Sequence, residues 1–123
     1  MRILADTSVW VDHFRSGNAE LATALEQGDV IMHPFVIGEL ACGNLRNRGL
    51  MLELLQALPA APAATAEEAL AFIEGHHLMG RGIGYVDVHL LAATALAGDA
   101  RLWTLDRRLG SVASALKLAT RTG

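Results

Sequence analysis

Arg2-Ile3-Leu4-Ala5-Asp6-Thr7-Ser8-Val9-Trp10-Val11-Asp12 is a short apolar run that stops on an acid and two hydroxyls before a helical pattern begins. It reads as a buried strand, residues 2–5, that delivers Asp6 at its carboxyl end. The same order recurs far along the chain, where Arg101-Leu102-Trp103-Thr104-Leu105 runs into Asp106. Further strand candidates lie at 29–32, about 61–64 and 117–120, and helical segments separate the five. That alternation predicts an α/β fold, a parallel sheet with helices on both faces.

The helices announce themselves by their punctuation. Asn18 can cap 19–27, with Gly28 as the left-handed stop. Pro34 suits a first helical position, where its missing N–H costs nothing, and a helix from Pro34 to Arg46 would carry Glu39, Cys42, Gly43 and Arg46 on one stripe. Leu50 to Leu58 is apolar at helical spacing, and Thr65-Ala66-Glu67-Glu68 is a capping box. Asp87 reads as the cap of 88–97, with Val86 and Leu91 stapled across it, and Ser111 to Leu116 as a last short helix.

At 123 residues, with no repeat and no dividing linker, residues 1–123 read as a single domain able to bury its own core. No apolar run approaches the roughly 18 residues of a membrane span, and Asp6-Thr7-Ser8 interrupts any signal-like start. A cytoplasmic protein without a membrane partner is the expectation. The single Cys42 excludes an internal disulfide and reads as a small interior residue. A net charge of −3 argues at first against a nucleic-acid partner, but neutralising four acids with metal would leave +1. Nine of the ten basic residues are Arg, suited to bidentate phosphate contacts, and Arg46, Arg107 and Arg108 follow the acids closely.

Ligands of open parallel sheets bind beyond the carboxyl ends of the strands. Asp6 and Asp106 would both face that crevice, Asp87 would reach it from a helix start, and Glu39 from a helix one turn in. Each acid also has a purely structural reading: Asp6 and Asp87 as caps, Asp106 as a turn residue. Glu39 is harder to explain so, because it interrupts Phe35-Val36-Ile37-Gly38-Leu40-Ala41. Two carboxylates about 5 Å apart at an effective dielectric of about 20 repel by roughly 3 kcal/mol. A divalent cation on oxygen ligands, Mg²⁺ or Mn²⁺, resolves that repulsion most simply and brings phosphodiester chemistry with it.

In these contexts the chain resembles the PIN-domain ribonucleases, and most closely the VapC-type toxins of toxin–antitoxin pairs. The resemblance rests on Asp6-Thr7-Ser8 at the start, Glu39 within Val36-Ile37-Gly38-Glu39-Leu40, Asp87 ahead of an Ala-rich helix, and Thr104-Leu105-Asp106. It implies a PIN-like three-layer sandwich with a central, mainly parallel five-stranded sheet flanked by helices. It also implies an acidic pocket for Mg²⁺ or Mn²⁺, endonucleolytic cleavage of RNA, a cognate antitoxin that blocks the pocket, and a homodimer. Some relatives carry a further acid where this chain has Arg108, which leaves one-ion and two-ion chemistry both open.

On that basis Asp6, Glu39, Asp87 and Asp106 are the expected catalytic and metal-binding residues. Thr7, Ser8 and Thr104 are candidates to hydrogen-bond the ligating oxygens, and Arg46, Arg107 and Arg108 to contact RNA. Attack by metal-activated water predicts 5′-phosphate and 3′-hydroxyl ends, whereas cyclic phosphates would point to histidine acid–base chemistry. The five histidines do not invite that alternative: His76 and His77 diverge as neighbours, His33 marks a helix start, and His89 faces away from Asp87. Trp10 and Trp103 read as core; Phe14 and Phe35 as packing residues able to stack on bases. A receiver domain, the rival of another class, would need an acid after the third strand and a Lys after the fifth, and neither is present. A catalytically silent PIN-like module that binds metal or RNA retains all four acids and stays open.

Overall fold

A computed structural model describes residues 1–120, so the last three residues of the expected 1–123 unit lie outside the described part. The chain runs β1 (Arg2–Ala5), α1 (Thr7–Ser16), α2 (Ala19–Glu26), β2 (Val30–Ile31), α3 (Pro34–Ala41), α4 (Arg48–Gln56), α5 (Ala66–His76), α6 (Tyr85–Ala97), β3 (Ala100–Trp103) and α7 (Arg107–Ala115). The strands are parallel in the order β2-β1-β3. β1 is central, with Leu4 opposite Ile31 on one side and Leu102 on the other. Strands buried on both faces read as near-continuous apolar runs, which is why Ile3-Leu4-Ala5 needs no alternation. Leu4, Val30, Ile31 and Leu102 are each at most 1% exposed, and with Val9, Leu21, Val36, Leu90, Leu91 and Leu109 they form one apolar cluster. Burying a side chain of that size stabilises the fold by about 1.5–3 kcal/mol.

The sheet has three strands among the described residues, not five. The two outer candidates make one parallel bridge each, Met32 to Ala60 and Leu102 to Ala119. At 59–62 the cause is proline. Met32 N–H reaches Pro59 O and Ala61 N–H reaches Met32 O, but the next donors in that register would be the nitrogens of Pro34, toward Ala61 O, and Pro59, toward Val30 O, and neither has a proton. At the other edge the chain turns through Lys117, at φ +60°, and among the described residues meets β3 through Leu118 O and Thr120 N–H. The α/β class and the parallel layout are as expected; the outermost pairings are rudimentary.

Helix limits differ in three informative places. α3 ends at Ala41, so Gly43 and Arg46 leave the expected stripe. The Arg48 guanidinium donates to Ala41 O and Gly43 O and satisfies carbonyls that a longer helix would have used. Cys42, the cap of that end, is exposed and not interior. α6 starts at Tyr85, so Asp87 is its third residue and not its cap, and the expected staple across Asp87 does not apply. α7 starts directly after Asp106, four residues earlier than the sequence pattern suggests, because Asp106 caps it by accepting from Leu109 N–H at 2.9 Å.

Candidate active site

Asp6 is placed by the sheet and by its own helix. Its N–H donates to Trp103 O at 3.0 Å, which sets the end of β1 beside the end of β3. Its side chain caps α1 by accepting from Val9 N–H, and the residue is only 6% exposed. The carboxylate also accepts from two hydroxyls: Ser8 Oγ at 2.5 Å on Oδ1, and Thr104 Oγ1 on Oδ2. Each hydroxyl in turn accepts a backbone N–H, Leu105 onto Ser8 at 2.9 Å and Asp106 onto Thr104 at 3.0 Å. A hydroxyl has one proton, so these acceptances leave that proton free to point at Asp6. Burial pushes the Asp6 carboxyl above its ordinary range, and the Ser8, Thr104 and backbone donors hold it partly back.

The other three acids come from three further helices. Glu39, exposed on α3, accepts from Thr7 Oγ1 of α1 at 2.5 Å. Asp87 folds back onto Gly84 N–H at 3.0 Å, the N3 half of a capping box. Its carboxyl is raised first by burial, then by the charges of Asp106, Asp6 and Glu39, against the lowering effect of the Gly84 N–H. All four acids therefore lie within electrostatic reach at the carboxyl end of the sheet. Among the described residues the one ion pair joins Arg2 to Asp99, so no Arg or Lys is paired with any of the four.

As placed, no three carboxylate, thiolate or imidazole groups among the described residues stand close enough to hold one ion. The oxygens are turned onto hydroxyls and N–H groups instead. The donor chemistry nevertheless suits a hard divalent cation, being oxygen-only, crowded with negative charge and without a counter-cation.

The arginines separate. Arg46 lines a groove of about 500 Å³ with Val11, Phe14, Glu39, Leu40 and Met51. Arg107 stands at the start of α7 beside Thr104 and Asp106, in a shallow depression. Arg108 crosses Gly82, whose φ is +78° and where an added Cβ would lie 2.8 Å from Arg108 Cδ. Trp10 and Trp103 are core, as expected.

The sequence pattern missed an aromatic cluster beside the acids. Buried His33 caps α3 through Nδ1, which accepts from Phe35 N–H at 3.0 Å, and its Nε2 has no partner. His89 is buried against Phe35 and Tyr85. An aromatic residue two positions before Asp87 was the available signal for Tyr85.

The chain matches the PIN domain family over residues 3–115. It is 46% identical over 107 residues to Ribonuclease VapC32 of Mycobacterium tuberculosis, in two strains, covering 87% of this chain and 86% of that protein. Among solved structures it resembles PAE2754 from Pyrobaculum aerophilum, with a TM-score of 0.60 at 15% identity, over 91% of this chain and 79% of that one. The latter likeness is one of fold.

Proposed function

The chain belongs to the PIN domain family, in its VapC-type branch, and from that premise we propose that it is a divalent-metal-dependent endoribonuclease, the toxin of a toxin–antitoxin pair. One observation carries the reading: four carboxylates, three at helix starts and Glu39 from within α3, crowd the carboxyl end of a parallel sheet, and the Asp87 carboxyl is pushed up in part by the other three. Asp6 and Asp106 would hold the principal Mg²⁺ or Mn²⁺, with Glu39 and Asp87 contributing directly or through water. Such an ion, when bound, supplies a more acidic water and stabilises charge on the scissile phosphate.

The chain's own groups do the positioning. Ser8 and Thr104 fix the Asp6 carboxylate, Thr7 steers Glu39, and the Gly84 N–H orients Asp87. Glu39 or Asp87 orients the attacking water and accepts its proton. Arg107 and Arg108 grip the RNA backbone, and Arg46 does so from the groove side. That groove, apolar and opening onto Glu39, suits a segment of the cognate antitoxin, which would then block the site. The reading includes a homodimer and a cytoplasmic setting; no helix of the described residues is long and apolar enough to cross a membrane.

The test is cleavage of end-labelled structured RNA by wild type and Asp6→Asn, each with Mg²⁺ or with chelator. Cutting by wild type alone, only with metal, and leaving 5′-phosphate ends is the expected result. Cyclic phosphate ends would overturn the hydrolytic mechanism. No cutting, while Mg²⁺ still raises the melting temperature of wild type only, would leave a silent metal-binding module.

A further inference from the structure

We propose that Phe35 and Tyr85 form a platform on which unpaired bases of the RNA stack while the adjoining phosphate lies at the acids, an inference that rests on the ribonuclease reading above. Phe35 is the second residue of α3 and lies one helical turn from Glu39 on the same exposed face. Gly38 lies on that face too, and a Cβ there would meet nothing within 4 Å. Tyr85 is the first residue of α6, two positions before Asp87. Phe35 therefore stands beside Glu39, and Tyr85 joins it from the first turn of α6 through their shared contact with His89.

The rings are held, not loose. Both meet the buried His89 edge to face, Phe35 at a centroid separation of 4.8 Å and Tyr85 at 4.6 Å. His33 braces Phe35 from beneath at 5.0 Å. Yet Phe35 is 39% and Tyr85 48% exposed, so a face or edge of each is left to solvent. Held aromatic rings that keep exposed area are the form of a stacking platform.

Area and charge favour a base over a second copy of the chain. A whole aromatic side chain offers about 150–250 Å². At the observed exposures the two rings together present under about 250 Å², against the roughly 800 Å² per partner of a stable interface. The net charge of −3 leaves the chain little general attraction for RNA, so an uncharged, sequence-tolerant contribution fits the need.

The experiment is equilibrium binding, in chelator so that nothing is cut, of a fluorescent unstructured RNA and of a matched strand lacking its bases. Phe35→Leu and Tyr85→Leu keep apolar bulk at half-exposed positions and remove the π-face. Each is expected to weaken binding of the base-bearing strand about five- to a hundredfold and to leave the abasic strand unchanged. Phe35→Tyr and Tyr85→Phe are expected to bind as wild type. Leu variants that bind normally, or that lose equally on both strands, overturn the platform. So does a dimeric wild type whose Leu variants sediment as monomers, which would make the patch a self-interface. Wild type that binds both strands alike sinks the stacking, and so does wild type that binds neither; the ribonuclease reading stands or falls separately, on the cleavage test with Mg²⁺.

Discussion

Thr104 donates its hydroxyl to Asp6 across 98 residues of chain and, through the same oxygen, accepts the N–H of Asp106. One side chain thus couples the ends of β1 and β3 and links the two acids that follow those strands. Ser8 repeats the device from the other side, donating to Asp6 and accepting from Leu105.

Thr104→Val keeps the shape and removes the hydroxyl. Asp6 then loses a donor and Asp106 N–H an acceptor, so stability should fall by about 1–3 kcal/mol. RNA cleavage should fall about 10- to 100-fold, as expected when a group that orients a ligating carboxylate is lost. Melting curves and initial rates check both; an unchanged rate would mean that this hydroxyl does not orient Asp6 for chemistry.

Asp87→Asn should stabilise the chain at neutral pH in chelator. The folded state raises the Asp87 carboxyl, by burial and then by Asp106, Asp6 and Glu39, so it binds the proton more tightly than the unfolded chain does. The corresponding stability is present below the ordinary carboxylate range and is lost as pH rises through the raised value. Asn needs no proton to be neutral and can still accept from Gly84 N–H. Because water screens this partly exposed carboxylate, a small gain in Tm is expected, with a smaller further rise on adding Mg²⁺ than wild type shows. A lower Tm would show that the acids are not crowded at the cost of stability.

His33 makes the fold sensitive to acid. Burial, and then the nearby His89, lowers its pKa from 6.5 to about 4. The unfolded chain protonates first, so this contribution is whole above pH 6.5 and is lost as pH falls toward 4, by up to about 3 kcal/mol. Protonation would also remove the Nδ1 lone pair that caps α3. His33→Asn supplies another good cap, and should flatten the slope across that window while costing about 1 kcal/mol at every pH for the smaller side chain. Denaturant unfolding at several pH values reads the slope directly.

Gly82→Ala should displace Arg108. The positive φ costs an L-residue about 1–2 kcal/mol, and the new methyl would lie 2.8 Å from Arg108 Cδ. If Arg108 contacts one phosphate, Arg108→Ala should make the salt dependence of RNA binding shallower by about 0.7 in log–log slope. Gly82→Ala should move it in the same direction. Binding titrations from low to moderate salt decide the matter, and an unchanged slope in Arg108→Ala removes that arginine from the interface.

Much of this was legible because it is local. Asp6 and Asp106 ending apolar runs, Asn18 as a cap, Pro34 at a helix start and the Thr65–Glu68 box all act within a turn of their own positions. Asp87 shows the limit even of local reading. A carboxylate can serve at the cap or three residues in, and the chain uses the second by starting α6 at Tyr85. The stripe expected from Glu39 to Arg46 failed for a similar reason: Arg48, coming back from the next helix, takes the carbonyls that end α3.

The sequence by itself determined the α/β alternation, the ends of the central strands and the placing of Asp6, Asp87 and Asp106 at helix starts, because periodicity, proline and caps act between near neighbours. Only the tertiary structure decided that Ser8 and Thr104 share Asp6, that Thr7 reaches Glu39, and that Phe35 and Tyr85 meet over His89. It also decided that, among the described residues, the two outer pairings make one bridge each. Such contacts join residues tens of positions apart, and which of them form depends on how helices and strands pack as a whole, where no single stretch carries the preference.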